Sequence, residues 1–171
     1  MVRAFFPGSF DPIHYGHVDI AKRAVRLFDE LIIAVYDKPI KNLLFSPEER
    51  ISLAEEAFAD NPKIRVTGYN NLTVDACREA NAQVIVRGLR VFSDFEFEFR
   101  MALANYRLTT DIESIALITH EEHTFISSST VKEIAMLDGD VSSMVPPHVF
   151  IALKKKIAGM ENHDVANVPR D

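Results

Sequence analysis

Short apolar runs alternate with stretches of helical spacing along almost the whole chain, and this alternation limits the fold more than any other feature. Val2 to Phe6, Leu31 to Val35, Ile64 to Thr67, Val84 to Val86 and Ser114 to Ile118 read as strands. Leu31-Ile32-Ile33-Ala34-Val35 is apolar at every position, so both of its faces must be covered. Pro7-Gly8 is expected to end the first strand. Between the strands lie helical patterns, as in His14 to Phe28 with Val18, Ala21, Ala24, Val25 and Phe28 on one side. Ser46-Pro47-Glu48-Glu49 opens another helix, to about Ala59: serine caps, proline takes the first position and Glu49 closes a capping box. Thr73 to Ala80, Ser128 to Leu137 and Pro147 to Ile157 complete the regular helices, with Thr130 and Glu133 expected to form a second capping box. Strands separated by helices form right-handed crossovers, which predicts an α/β fold: a Rossmann-like, doubly wound, five-stranded parallel sheet with helices on both faces. The 171 residues suit one domain over 1–158, followed by a polar, flexible tail over 159–171.

Val91 to Leu108 contains no glycine or proline and reads as a long helix, although Asp94-Phe95-Glu96-Phe97-Glu98-Phe99 alternates like a strand. Phe95, Phe99, Ala102 and Tyr106 share one face of that helix; Phe97, Met101, Ala104 and Leu108 share another. Two apolar faces exceed what one small core covers, which points to a subunit interface.

Composition removes several functional classes. The formal net charge of −6 argues against a nucleic-acid-binding surface or an anionic membrane partner, while leaving room for a small cationic pocket. No stretch approaches the ~20 apolar residues of a membrane span, and no signal peptide precedes Pro7. The single cysteine, Cys77, reads as a packing residue and fits a reducing, cytoplasmic location.

In doubly wound sheets, ligands bind beyond the carboxyl ends of the strands. Four segments lie there. Pro7 to His17 lacks both the dinucleotide glycine pattern and the P-loop pattern. It offers Ser9, a close-approach glycine at Gly16, and His14 and His17 three apart at a helix start, where amide donors favour anions. Arg87-Gly88-Leu89-Arg90 follows the fourth strand and can grip phosphates with guanidinium forks. Lys41 follows the second strand and by itself reads as a solvated lysine. Phe125-Ile126-Ser127-Ser128-Ser129-Thr130 carries more hydroxyls than a helix cap requires. His120-Glu121-Glu122-His123 lacks the zincin order, and Asp94, Glu96 and Glu98 read as a solvated helix edge. No nucleophile with a partnered base is evident, so phosphoryl or nucleotidyl transfer by positioning and charge stabilisation is the expected chemistry.

Ser9-Phe10-Asp11-Pro12 followed by His14-x-Gly16-His17 resembles the nucleotidyltransferase superfamily with an HxGH motif. Together with Arg87-Gly88-Leu89-Arg90, Asp94 to Glu98 and Ile126-Ser127-Ser128-Ser129, in the same order over residues 2 to about 158, the chain resembles the bacterial phosphopantetheine adenylyltransferases. The resemblance implies transfer of the adenylyl group of ATP to 4′-phosphopantetheine, giving dephospho-coenzyme A and pyrophosphate, the penultimate step of coenzyme A synthesis. It implies catalytic roles for His17, Lys41 and Arg90. The ATP site would comprise Ser9, Phe10, His14, His17, Gly88, Leu89, Arg90 and Glu98, closed by His123, Thr124, Phe125, Ile126, Ser127, Ser128 and Ser129. Ser9, Lys41, Leu72, Thr73 and Arg87 would hold phosphopantetheine. Mg²⁺ would arrive with ATP, with no side-chain ligand expected. Coenzyme A is implied as a feedback ligand, and a homohexamer as the assembly. The rivals are a sister enzyme, such as a nicotinamide mononucleotide adenylyltransferase or a cytidylyltransferase, and a nucleotide-binding regulatory module without catalysis.

Overall fold

The computed structural model describes residues 1–38 and 43–166, with 161–166 described by backbone alone. Five strands, β1 (Arg3–Gly8), β2 (Glu30–Tyr36), β3 (Ile64–Tyr69), β4 (Val84–Leu89) and β5 (Glu113–Ile118), form one sheet in the order β3-β2-β1-β4-β5. Every pairing is parallel, as the alternating pattern requires. Among the described residues six α-helices connect or flank them: α1 (Tyr15–Ala24), α2 (Pro47–Ala57), α3 (Thr73–Glu79), α4 (Phe92–Leu108), α5 (Ser128–Met136) and α6 (Pro147–Ala166).

The pleat divides the core in two. Ala4 and Phe6 of β1, with Leu31, Ile33 and Val35 of β2, pack with buried residues of α1, α2, α5 and α6. Phe5, Ile32 and Ala34, one residue out of phase, face Val74, Ala76 and Cys77 of α3. Crossovers from β1 wind toward β2 and those from β4 wind toward β5, so the winding reverses between β1 and β4.

Several boundaries differ from those read off the sequence. β1 runs through Pro7 and Gly8 instead of stopping before them. Its ladder with β4 covers only Ala4↔Val84 and Phe5↔Ile85, so the proline nitrogen costs no hydrogen bond there. β4 extends to Leu89 because β5 pairs with Arg87, Gly88 and Leu89, placing Arg87 on a strand instead of in a loop. The alternating Asp94–Phe99 stretch is helical, yet α4 buries none of its residues. The Ser46–Glu49 capping box forms in both directions, 3.2 and 2.7 Å. α6 passes through Gly159 to Ala166, so the first part of the supposed tail is helix. One interior glycine costs a helix only about 1 kcal/mol, and the preceding turns of α6 carry that. Residues 167–171 lie outside the described residues, as does Lys41.

Candidate active site

A cleft of about 280 Å³ opens at the carboxyl edge of the sheet, where β1 and β4 part. It is built from three of the four anticipated segments. Ser9, Phe10, His14 and His17 line it from the β1–α1 turn; Arg87, Gly88 and Arg90 from β4; Ser127, Ser128 and Ser129 from the start of α5. Asp94 and Glu98 of α4 and Thr119 beyond β5 complete the wall. A larger groove of about 810 Å³ between α2 and α6 is mostly apolar and lies away from the strand ends.

The two histidines are fixed by local geometry. His14 is the N-cap of α1 and is buried, while His17 sits one turn in and is partly buried. Their rings stack at 3.7 Å with planes 24° apart. Gly16 permits this, since a Cβ there would lie 3.1 Å from two atoms of the His14 ring. The space beside Gly16 that the sequence suggested for a ligand is therefore filled by His14. The His14 amide donates to His17 Nδ1 at 3.3 Å, which assigns the proton of neutral His17 to Nε2. Phe10, buried with φ of 48°, packs edge-on with the His17 ring at 4.9 Å. Burial, then the His14 ring, then Arg90 and Arg87 keep the His17 pKa well below its ordinary value. His17 is thus a neutral donor on the cleft wall.

Burial holds the His14 pKa down as well, to about 3, with Arg90 and His123 adding to the effect. Its unfolded value is 6.5, so its contribution to stability is whole above pH 6.5 and is lost as the pH falls toward 3. Between pH 7 and pH 5, His14 alone should remove about 2 kcal/mol, with His17 acting in the same direction. Urea unfolding at pH 7, 6 and 5 measures this, and a flat profile would mean that His14 titrates normally.

Both cleft arginines are held by α4. Arg87 donates from Nε and Nη2 to the Glu98 carboxylate at 2.7 and 2.6 Å, and from Nη1 to the Pro7 carbonyl at 2.5 Å. Arg90 meets Asp94 at 3.0 and 3.1 Å and donates to the Ile126 carbonyl at 2.9 Å. Asp94 and Glu98 are therefore cleft residues, and only Glu96 is the solvated edge that all three resembled. At α5 the N-cap is Ser127, whose Oγ accepts the Thr130 amide at 3.0 Å, which corrects the expected Thr130–Glu133 box. Ser128 donates to the Pro12 carbonyl at 2.9 Å, tying α5 to the β1–α1 turn.

Other anticipated residues do not line the cleft. Leu89 ends β4 and accepts the Thr119 amide at 2.7 Å. Thr124 bonds back to the Glu121 carbonyl, Phe125 is exposed, and Ile126 is buried, contributing its carbonyl to Arg90. The His123 ring stacks on Tyr15 at 6.3 Å. Leu72 caps α3 and Thr73 bonds the Tyr69 hydroxyl at 3.2 Å; both follow edge strand β3, which β2 separates from the cleft.

Two interior ionic residues carried no assigned role in the sequence reading. Asp11, 1% exposed, accepts the amides of Leu44 (3.0 Å) and Phe45 (2.9 Å) and the Lys132 ammonium (2.5 Å). Arg50 of α2 is fully buried. Asp11 stood inside the recognised motif, whereas nothing in the spacing around Arg50 separates it from a surface helix residue.

Comparison with known proteins places this geometry in a family. Residues 5–134 match the cytidylyltransferase-like family model. A protein of Roseiflexus sp. strain RS-1 called phosphopantetheine adenylyltransferase is 51% identical over 155 residues, 91% of this chain and 97% of its own length. Its namesake from Methylococcus capsulatus is 51% identical over 92% of this chain and 98% of that protein, and one from Cupriavidus taiwanensis is 48% identical over 94% and 100%. The arrangement of HxGH turn, paired arginines and serine-rich helix start, together with likeness over nearly the full length of such relatives, means that the chain belongs to the cytidylyltransferase-like family and, within it, to the phosphopantetheine adenylyltransferases.

Proposed function

We propose that this protein transfers the adenylyl group of ATP to 4′-phosphopantetheine, forming dephospho-coenzyme A and releasing pyrophosphate. The observation that carries the reading is the neutral, tautomerically fixed His17 on the wall of a cleft with Arg87 and Arg90, at the point where the sheet's winding reverses. An oxygen of the acceptor phosphate attacks the α-phosphorus of ATP, the bond to the β-phosphate oxygen breaks, and pyrophosphate carries the charge away. The attacking phosphate needs no base. His17 donates Nε2–H to a non-bridging α-phosphoryl oxygen, a bond that strengthens as charge gathers there. Arg90 and Arg87 offset the repulsion between the two anions, Arg87 on the acceptor side with Lys41 as its partner in that role. Ser9, Ser128 and Ser129 supply hydroxyls to the phosphates, and the α1 and α5 amino ends favour negative charge.

The donor set suits a Mg²⁺ brought in by the nucleotide. Among the described residues no group of three histidine, cysteine or carboxylate side chains is placed to hold a metal, and both cleft carboxylates are engaged by arginine. Hydroxyls of Ser9, Thr119 and Ser129 are the groups suited to bond its water shell. The ion would supply charge neutralisation on the triphosphate.

Pyrophosphate release with Mg-ATP and either 4′-phosphopantetheine or nicotinamide mononucleotide tests the assignment. Release with phosphopantetheine alone is expected; release with the mononucleotide alone would keep the role of His17 and overturn the acceptor. Coenzyme A, which shares the adenylyl group and pantetheine arm of the product, fits the same reading as a feedback ligand. A cytoplasmic setting accords with the single reduced cysteine, and no helix among the described residues is long and apolar enough to cross a membrane.

The assembly we infer is a homohexamer. Phe92 of α4 is 86% exposed, Phe95, Phe97, Phe99 and Leu103 are about half exposed, and Ile118 at the end of edge strand β5 is exposed as well. An apolar surface of that extent on a protein in water marks an interface. Light scattering at micromolar concentration should give the mass of six chains; a monomer mass would overturn this part of the reading.

A further inference from the structure

Arg50 has no place in the reaction as described, yet its position is costly. It lies in the first turn of α2, the helix that follows residues 39–42, and its side chain is 0% exposed. Burial opposes its charge, while Asp11 and Asp37 favour it from nearby. Its hydrogen-bond partners are carbonyl oxygens: Nη1 donates to Ser9 at 2.8 Å and to Tyr36 at 2.7 Å, and Nη2 donates to Asp37 at 3.3 Å. Its Nε is buried with no partner among the described residues. A buried cation served only by carbonyls is a poor stabilising device, because an apolar side chain of similar volume would fill the space without the desolvation cost.

What the guanidinium joins gives it a purpose. Ser9 belongs to the turn that lines the cleft, while Tyr36 ends β2 and Asp37 follows it, on the path toward Lys41, to which the proposed reaction gives the acceptor phosphate. Asp11, two residues beyond Ser9, holds the amides of Leu44 and Phe45 on the far side of residues 39–42. The chain that leaves β2 and the chain that returns to α2 are thus fastened to one three-residue turn, Ser9 to Asp11, from two directions. Backbone carbonyls have no side chain to relax, so the planar guanidinium fixes their separation.

We infer that Arg50 is a positioning residue that sets the spacing between the nucleotide-binding turn and the end of β2, and through it the alignment of donor and acceptor phosphates. This inference rests on the proposed adenylyl transfer. In-line transfer is sensitive to misplacement of about 1 Å, so loss of the clamp should appear in turnover while affinity for either substrate changes little.

The test uses the full chain with R50M, which fills the space without donors, and R50K, which keeps the charge and part of the bonding. Wild type runs beside them in the pyrophosphate assay with ATP and 4′-phosphopantetheine. R50M should keep its thermal midpoint within a few degrees, lose roughly 10- to 100-fold in kcat and hold both KM values within about three-fold. R50K should recover part of kcat. Amide exchange, measured without substrate, should accelerate in R50M over residues 8–11 and 36–38 and remain unchanged over α3. Wild-type kcat in R50M, or unchanged exchange at both segments, would overturn the inference. Failure of both variants to fold would overturn it too, by making Arg50 a residue of the fold. An inactive wild type would instead reject the proposed reaction, and the exchange data would still decide whether Arg50 clamps the two segments.

Discussion

His17→Ala should lower turnover by roughly two to four orders of magnitude while leaving ATP affinity within a few-fold. The asymmetry follows from the wall it occupies. The cleft also presents Arg90, serine hydroxyls and two helix amino ends, which on the proposed reading would hold ATP without the imidazole. The Nε2–H bond differs because its acceptor gains charge only as the α-phosphoryl group is transferred. Because the His14 amide holds Nδ1 and burial keeps the ring uncharged, His17 in the proposed reaction would deliver a directed hydrogen bond and no proton. His17→Asn, which restores a neutral donor at shorter reach, should recover part of the rate, and His17→Lys should recover less. Single-turnover pyrophosphate release combined with equilibrium ATP binding separates these effects. Unchanged turnover in His17→Ala would remove the residue from the mechanism.

Asp11→Ala should destabilise the fold by about 3–5 kcal/mol, the usual result of leaving one member of a buried ion pair alone. The Lys132 ammonium, 18% exposed, would lose its counter-charge, and the amides of Leu44 and Phe45 would lose their acceptor. For a chain of this length that corresponds to a thermal midpoint lower by roughly 10 °C. Lys132→Met added to Asp11→Ala should recover part of the loss by removing the stranded cation. Differential scanning calorimetry on the two single variants and the double variant checks this, and an Asp11→Ala midpoint within 2 °C of wild type would contradict the account.

The parts of this molecule legible in its sequence are those with local grammar. The helix start at Ser46–Glu49, the apolar run of β2 and the alternation that forces a parallel sheet depend on neighbours a few residues away, and each is present as read. Strand ends were less legible, because Pro7 breaks a strand only where its nitrogen meets a partner, and that depends on how far β4 pairs. The cleft separates in the same way. His14 and His17 share a helix turn, and the Arg90–Asp94 pair is an i,i+4 contact that spacing could have revealed. Arg87 meets Glu98 eleven residues away, Arg50 meets Ser9 forty-one away, and Lys132 meets Asp11 one hundred and twenty-one away. Such contacts leave no periodic trace. Leu72 and Thr73, assigned to the pantetheine arm by family resemblance, follow edge strand β3 and do not line the cleft between β1 and β4, a placement that no local spacing states.

The two arginine–carboxylate pairs also change how the cleft selects an anion. A guanidinium has five N–H bonds, and at Arg87 Glu98 takes two while the Pro7 carbonyl takes a third. The remaining two point from a side chain that folding has already immobilised, so an arriving phosphate does not have to order it. The accompanying carboxylates reduce the electrostatic pull on anions in general. Recognition then depends on oxygens that match fixed bond directions, and a chain with net charge −6 can admit polyphosphates without becoming a sink for every small anion around it.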